Sequence, residues 1–415
     1  MTPAWLLAPF VILLASIALG PIAFPRFWHK RYPLIAIGLG LITTGYFLAT
    51  GRGKAMAHAA EEYIGFIALI GALYVVAGGI HIRVRGEATP FVNTAFLAIG
   101  AVLANVIGTT GASMLLVRPW IRMNRYRITA FHIVFFIFIV SNVGGCLTPI
   151  GDPPLFMGYL KGVPFWWTAE HLWRGWALAV SLLLAIFFFI DRANFLRAPK
   201  AIRDAETANE TWQFRGLHNV IFIALILAAV IFLPMWWREL TMLTAALGSW
   251  FTTQREIHRA NQFDFAPLKE VAWLFVGIFA TMVPALQYLQ AQPPPLTSPS
   301  AYYWSTGFLS AMLDNAPTYL AFLATAFGSQ HLALDSTADM ALFIKTSAPT
   351  LAAISLGSVL FGAMTYIGNG PNFMVKAIAE HAKVRTPSFI AYTLRFALPI
   401  LIPVLTIVWL LVIAK

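Results

Sequence analysis

Two carboxylates stand where a chain this apolar should have none. Asp152 lies in GGCLTPIGDPPLFM, Gly144 to Met157, and Asp314 in MLDNAPTYL, Met312 to Leu320. Of the 17 acidic residues, these two fall well inside apolar stretches, and the others cluster in connecting segments or at their edges. An ionised Asp at the centre of a membrane helix costs about 2.5–3.5 kcal/mol on insertion scales, so such a residue is expected to work. No Lys or Arg is expected at the same depth. A carboxylate among Asn, Thr, Ser and carbonyl oxygens is a hard-oxygen site for a small cation. In a dry setting it holds either a proton or a metal ion. That competition is the minimal chemistry of cation/proton exchange.

The elements that position these groups are membrane spans. The chain has 415 residues, 59% hydrophobic and 11% charged, with a mean hydropathy of +0.74. A soluble domain carries about a quarter charged residues, and the apolar stretches approach the ~20 residues that cross a bilayer. The net charge of +11 does not point to nucleic acid, because Lys and Arg fall between apolar stretches as membrane topology requires. The single Cys146 excludes an internal disulfide and a cysteine metal site, and no resident cofactor is implied. MTPAWLLAPF lacks the basic start of a cleaved signal and reads as the first span.

Loops at 25–32, 81–90, 118–127, 192–216, 254–270 and 376–387 hold 20 of the 28 Lys and Arg residues. The loops at 51–61, 161–174, 235–239, 290–300 and 327–341, with the C-terminal end, hold 6. The basic set is expected to be cytoplasmic, in the inner (plasma) membrane. Basic loops then flank the segment 91–117 on both sides, so it reads as a re-entrant hairpin turning between Asn105 and Gly111. The segment 301–326 lies between two loops without Lys or Arg and reads as a second hairpin from the other side. The count is ten full spans, two hairpins and both termini outside. Broken spans run over 128–157 and 342–380. The polar run from Asp191 to Gly216 reads as the linker, with boundaries 1–191, 192–216 and 217–415.

Residues 145–157 and 362–374 share seven of thirteen positions in the pattern G-x-x-T-x-I-G-[DN]-x-P-x-F-M, with Asp152 opposite Asn369. Each copy follows a hairpin tip carrying an Asn, Asn105 in one half and Asn315 in the other. Two such halves of opposite orientation are an inverted-topology repeat, as in many secondary transporters. The fold class is an all-α integral membrane protein. Irregular backbone at membrane depth survives only where protein buries it or it lines a cavity. Breaks and tips should therefore meet near the midplane.

TPIGDPP, ANVIGTTGA, LDN and YIGNGPN together resemble the ion transporter superfamily, in particular the NhaD-type sodium/proton antiporters and the related citrate transporters. The likeness covers nearly the whole chain. It implies an elevator-type movement of hairpins and broken spans against a dimeric scaffold, hence a homodimer. It also implies a cation site at each tip and its matching break. By position these sites use Asn105, Thr109, Thr148 and Asp152 in one half, and Asp314, Asn315, Thr365 and Asn369 in the other. The carboxylate carriers of the superfamily typically show Ser-Asn-Thr at their tips, and this chain departs from that. Asp314 puts an acid where an anionic substrate would be repelled.

The expected function is exchange of Na+ or Li+ for H+, with Asp152 and Asp314 as proton-coupling groups. The alternative is a cation-coupled citrate or carboxylate carrier, and arsenite export is more distant. Neither HExxH nor G-x-S-x-G occurs, so an enzyme is not expected, nor is a passive channel. Each residue also has a plainer role. Asp152 can cap the helix at Pro153 and Asp314 can hold its turn. Asn105, Asn315 and Asn369 can form turns, and Thr109, Thr148 and Thr365 can bond their own backbone. Ser141 and Asn142 read as backbone satisfiers, and Cys146 as a small packed side chain. His132 reads as a wetted interfacial histidine, and Arg395 as a snorkelling residue or a carboxylate's partner. Trp166, Trp167, Trp236 and Trp237 read as interfacial anchors.

Overall fold

The computed structural model describes residues 3–83, 88–197 and 213–414. Most of the linker expected at 192–216 therefore lies outside the described residues, as does Arg85. The helices are α1 (Leu7–Ala23), α2 (Pro25–Ala49), α3 (Gly53–Gly78), α4 (Pro90–Met123), α5 (Ala130–Ile139), α6 (Pro153–Leu160) and α7 (Trp167–Arg197). They continue with α8 (Asn219–Phe232), α9 (Trp237–Thr252), α10 (Arg255–Ala260), α11 (Ala266–Ala291), α12 (Pro299–Met312) and α13 (Asn315–Ser329). The last are α14 (Thr337–Phe361), α15 (Gly370–His381) and α16 (Phe389–Ile413). Among the described residues nine helices are long and apolar enough to cross a membrane. Helices α8 and α9, at 14 and 16 residues, span only about 21 and 24 Å.

The helices form two packed groups. One comprises α1, α2, α3, α8, α9 and α11; the other comprises α4–α7 and α12–α16. They touch chiefly where α3 meets α4 and where α11 meets α13. Within the first group, Gly277 of α11 lets the backbone of α2 approach closely. A Cβ there would lie 2.7 Å from the Ala36 carbonyl oxygen, so any larger residue would force α2 and α11 apart.

Within α4 the chain reverses at Gly108, whose φ of 74° and ψ of 156° favour glycine, so α4 is two helical arms joined at that residue. Past that point the chain returns along itself. A Cβ at Gly100 would lie 3.2 Å from Leu116 Cδ1, and Phe96 stacks on Trp120 with centroids 5.5 Å apart. At the open end Asn93 and Asn124 exchange amide bonds of 2.8 and 3.1 Å. The second reversal, between α12 and α13, is made at Leu313 and Asp314.

The fold is nearly all helical, as expected; a short antiparallel ribbon pairs β1 (His81–Arg83) with β2 (Gln213–Arg215). One sequence expectation needs correction: Asp191, expected to start the linker, is fully buried inside α7, which continues to Arg197. The reason is a partner set described below.

Loop contacts sort by face. On one face β1 pairs with β2, and Asn261 Nδ2 donates to the carbonyls of Gly78 and Ile80 at 2.9 and 2.8 Å. On the other, Lys161 meets Glu62 and Asp335, and Trp409 Nε1 donates to Ser300 Oγ at 2.9 Å. The first face carries the loops rich in Lys and Arg, the second those poor in them. Trp5 packs edge-on against Tyr46, in the last turn of α2 before the basic-poor loop at 51–61, with centroids 5.4 Å apart.

Candidate functional site

Each break strips backbone groups of their helical partners, and in a dry interior each such group costs several kcal/mol if left unpaired. Side chains of the hairpin tips take up the deficit. In the first break, Asn105 Nδ2 donates to the carbonyls of Ala101 and Gly144 at 3.0 and 2.7 Å, while its Oδ1 accepts from Leu147 N at 2.7 Å. Thr148 Oγ1 donates to the Asn105 carbonyl at 2.6 Å and accepts from Gly151 N at 3.1 Å. Thr109 N donates to the Gly151 carbonyl at 2.8 Å. The second break repeats the stitch: Thr365 Oγ1 donates to the Ala311 carbonyl at 2.8 Å and accepts from Gly368 N at 3.1 Å.

These stitches fix the correspondence between the tips. Thr148 and Thr365 each reach a carbonyl four residues before the start of a second hairpin arm, at Thr109 and Asn315. Asn105 therefore corresponds to Ala311, and Asn315 to Thr109. The sequence pairing of Asn105 with Asn315 is off by four residues, because matching residue types hid the true register.

Asp152 occupies the cap position of α6 but makes no capping bond. Its Oδ1 accepts from Thr109 Oγ1 at 2.7 Å and from Asn369 Nδ2 at 2.8 Å; its Oδ2 accepts from Asn315 Nδ2 at 2.6 Å. Thr109, Asp152, Asn315 and Asn369 mark the starts of four helical segments: the second arm of α4, α6, α13 and α15. Four positive helix ends and three hydrogen-bond donors thus converge on one carboxylate that is 1% exposed. Among the described residues no Lys or Arg pairs with it.

Four of the eight sequence candidates meet here, and they come from both halves of the chain. The other four do not join them. Asn105, Thr148 and Thr365 have their polar groups engaged in the stitches. Asp314 caps α13, its Oδ1 accepting from Ala316 N at 3.1 Å. It also lines a cavity of about 500 Å³ between the two helix groups. That cavity extends from Asp314, Asn369 and Pro153 to His29, Asp264 and His381 near the basic face. A pocket of about 30 Å³ lies beside Asp152, Thr109 and Gly151, which is room for a water or an ion.

Oxygen ligands for a cation are at hand. Asn142 Oδ1 and Asn315 Oδ1 are buried without a hydrogen-bond partner among the described residues, an arrangement costing about 1–3 kcal/mol each unless something fills it. Both belong to residues that adjoin Gly362. A Cβ there would lie 3.1 Å from Asn142 Oδ1, 3.2 Å from the Gly368 carbonyl oxygen and 3.4 Å from Asn315 Nδ2. Asn315 holds the Asp152 carboxylate through Nδ2, so its amide oxygen is a neutral, hard ligand one side chain from the charge.

The sequence matches the family described as "Putative citrate transport" over residues 1–413. The chain belongs to that family. Membership makes it a multi-pass secondary membrane transporter. No protein of curated function matches it.

Other residues of this family member stand apart from their sequence reading. Asn372 was not singled out; its Oδ1 accepts from Asn142 Nδ2 at 2.7 Å and its Nδ2 donates to the carbonyls of Gly362 and Thr365, each at 2.9 Å. Its signal was an amide in GPNFM where the first copy has Leu155. His132 is not a wetted interfacial residue, because it is fully buried. Its Nδ1 accepts from Thr129 N at 3.1 Å, which leaves Nε2 to donate to Asp191 Oδ1 at 3.0 Å. Asp191 also binds Arg127 through both oxygens and accepts from Asn93 Nδ2 at 2.9 Å. This closed network ties the base of the first hairpin to α7. Its signal was an acid ending an apolar run, LLLAIFFFID. Arg395 is exposed, Cys146 is fully buried, and of the four Trp anchors Trp167 is buried while the other three are exposed.

Proposed function

We propose that this transporter exchanges Na+ or Li+ for H+, with Asp152 as the group for which cation and proton compete. One observation carries the reading: the point where four helix N-termini converge holds a built-in carboxylate. Such a convergence would otherwise suit the carboxylate of an anionic substrate. With its own fixed negative charge there, the site is complementary to a cation, which the unpaired oxygens of Asn142 and Asn315 would help to hold. Asp314 on the cavity wall lies on the approach and is the second candidate for proton coupling.

The movement proposed is an elevator. The first helix group is the scaffold, through which a homodimer would form, and the second is the moving unit that carries the site. An inverted repeat is supported by the site itself. Asp152 and Asn369 are equivalent in the two motif copies and bond to each other, as residues astride a two-fold axis must. The basic face would be cytoplasmic, so the cavity would open inward and both termini would lie outside.

A second reading, a cation-coupled carrier of citrate or another carboxylate, is favoured by two features. The 500 Å³ cavity exceeds the needs of a bare ion, and Arg118 on its wall has Nε and Nη1 without partners among the described residues. Calorimetry of purified protein with NaCl or LiCl, repeated in buffers of different ionisation enthalpy, tests the primary reading. Proton release on cation binding near neutral pH is expected. Binding without proton release, or none without citrate, would sink it.

A further inference from the structure

Tyr159 and Leu160, which end α6, and Lys161, which follows them, dock on the other helix group at the basic-poor face. Tyr159 Oη donates to the Val230 carbonyl of α8 at 2.6 Å, and the Arg238 guanidinium of α9 lies over its ring, 5.6 Å from the centroid. Leu160 faces α3, where a Cβ at Gly65 would come within 3.6 Å of its Cδ2. Lys161 Nζ lies 2.7 Å from Glu62 Oε1 of α3 and 2.6 Å from Asp335 Oδ1, in the loop between α13 and α14. Lys161 and Glu62 are both buried. Thus a helix that begins at the candidate site ends in an ion pair across the boundary between the two groups. It does so on the face opposite the large cavity.

The neighbours decide what this cluster is. His58 Nε2 lies 3.3 Å from Glu62 Oε1 and 3.8 Å from Asp335 Oδ1, and these three side chains could together hold a metal ion. The Lys161 ammonium already fills the space between the two carboxylates, so the cluster is a closed ionic contact. Ammonium and carboxylate both hydrate strongly, so their mutual attraction competes closely with water once the face is wetted. Such a contact suits a junction that must open and shut.

We infer that Lys161, paired with Glu62 and Asp335, is a latch that holds the basic-poor face closed and must part for that face to open. The inference rests on the proposal that the two helix groups move relative to one another. Lys161 acts here as a positioning residue and touches no transported ion.

The test is the rate of maleimide labelling of Leu160→Cys, a half-buried position under the latch. Native Cys146 is fully buried and sets the background. Adding Lys161→Met should raise the rate at least about tenfold, since breaking one side of a buried pair leaves the other charge unpaired. Lys161→Arg, which keeps the charge, should stay within about twofold of Leu160→Cys alone. Asp335→Asn, at an exposed position that cannot threaten the fold, should give a smaller rise. Labelling unchanged by Lys161→Met, or raised equally by Lys161→Arg, overturns the latch. A second arm cross-links Glu62→Cys to Lys161→Cys, which should stop ion flux until the link is cleaved; full flux through the linked protein also overturns it. If the parent protein moves no ions at all, the transport reading fails, while the labelling rates still decide the latch.

Discussion

Replacing Asp152 by Asn changes one atom's chemistry at the point where the site is most constrained. The carboxylate accepts from Thr109, Asn369 and Asn315. The substituted amide would offer one carbonyl oxygen and turn an NH2 group toward at least one of those donors. Leaving a buried donor unmatched costs about 1–3 kcal/mol, a loss the fold can bear because the stitches at Asn105, Thr148 and Thr365 do not involve Asp152. The functional loss is larger. A monovalent ion about 4 Å from a unit charge gains about 4 kcal/mol at an effective dielectric of 20, and removing that gain weakens binding about a thousandfold. In vesicles with an imposed pH gradient, Asp152→Asn protein should show no Na+- or Li+-triggered proton movement at concentrations that drive the parent. Size-exclusion elution and Tm in detergent would show that the protein remains folded. Parent-like flux with a parent-like half-saturating Na+ concentration would refute the assignment of Asp152.

Four further outcomes follow from the same geometry. Asp191→Asn leaves the buried Arg127 guanidinium short of its counter-charge, and breaking such a pair costs about 3–5 kcal/mol; a large fall in Tm is expected, with His132→Ala falling less. Gly108→Ala forces a φ of 74° with a ψ of 156° on a residue with a Cβ, about 1–3 kcal/mol, and crowds the Ile150 carbonyl oxygen 3.2 Å away, so Tm and transport should fall together. Thr148→Val and Thr365→Val each strip one stitch and should lower Tm by similar amounts without changing the cation preference of the residual flux. Burial works against the charge of Lys161, but Glu62 and Asp335 outweigh it and hold its pKa above the usual lysine value. A raised pKa adds stability in full below the unfolded value, near 10.4, and loses it as pH climbs through the folded value. His58, whose hydrogen bond to Glu62 holds its pKa above the usual histidine value, shares the cluster, so the difference in Tm between parent and Lys161→Met should level off once His58 is neutral and shrink only in stronger alkali.

Much of the fold could be read from patterning because membranes impose it. Glycine, proline and acid inside FHIVFFIFIVSNV…GDPP mark a break that lipid would not tolerate, and loop charges reveal that 91–117 returns to its own side. The structure groups loop contacts by the same two faces. What patterning missed is how the halves face each other. Aligning the motifs sets Asn369 opposite Asp152 as counterparts, which suggests two separate sites; in space Asn369 donates to Asp152, and one carboxylate takes donors from both halves of the chain. The tip register failed for a similar reason, since only the Thr148 and Thr365 bonds reveal that Asn315 corresponds to Thr109. Proximity to polar segments points Asp191 and His132 toward water, whereas Arg127, Asn93 and His132 partner Asp191 inside the protein, and Asp191 with Thr129 holds His132.

The most direct test of the central claim follows internal pH in vesicles of purified protein while NaCl, LiCl or sodium citrate is added outside. A site with a built-in carboxylate should let Na+ and Li+ as chlorides move protons against an imposed gradient, and citrate should add nothing beyond its sodium. Proton movement that begins only when citrate is present would contradict it.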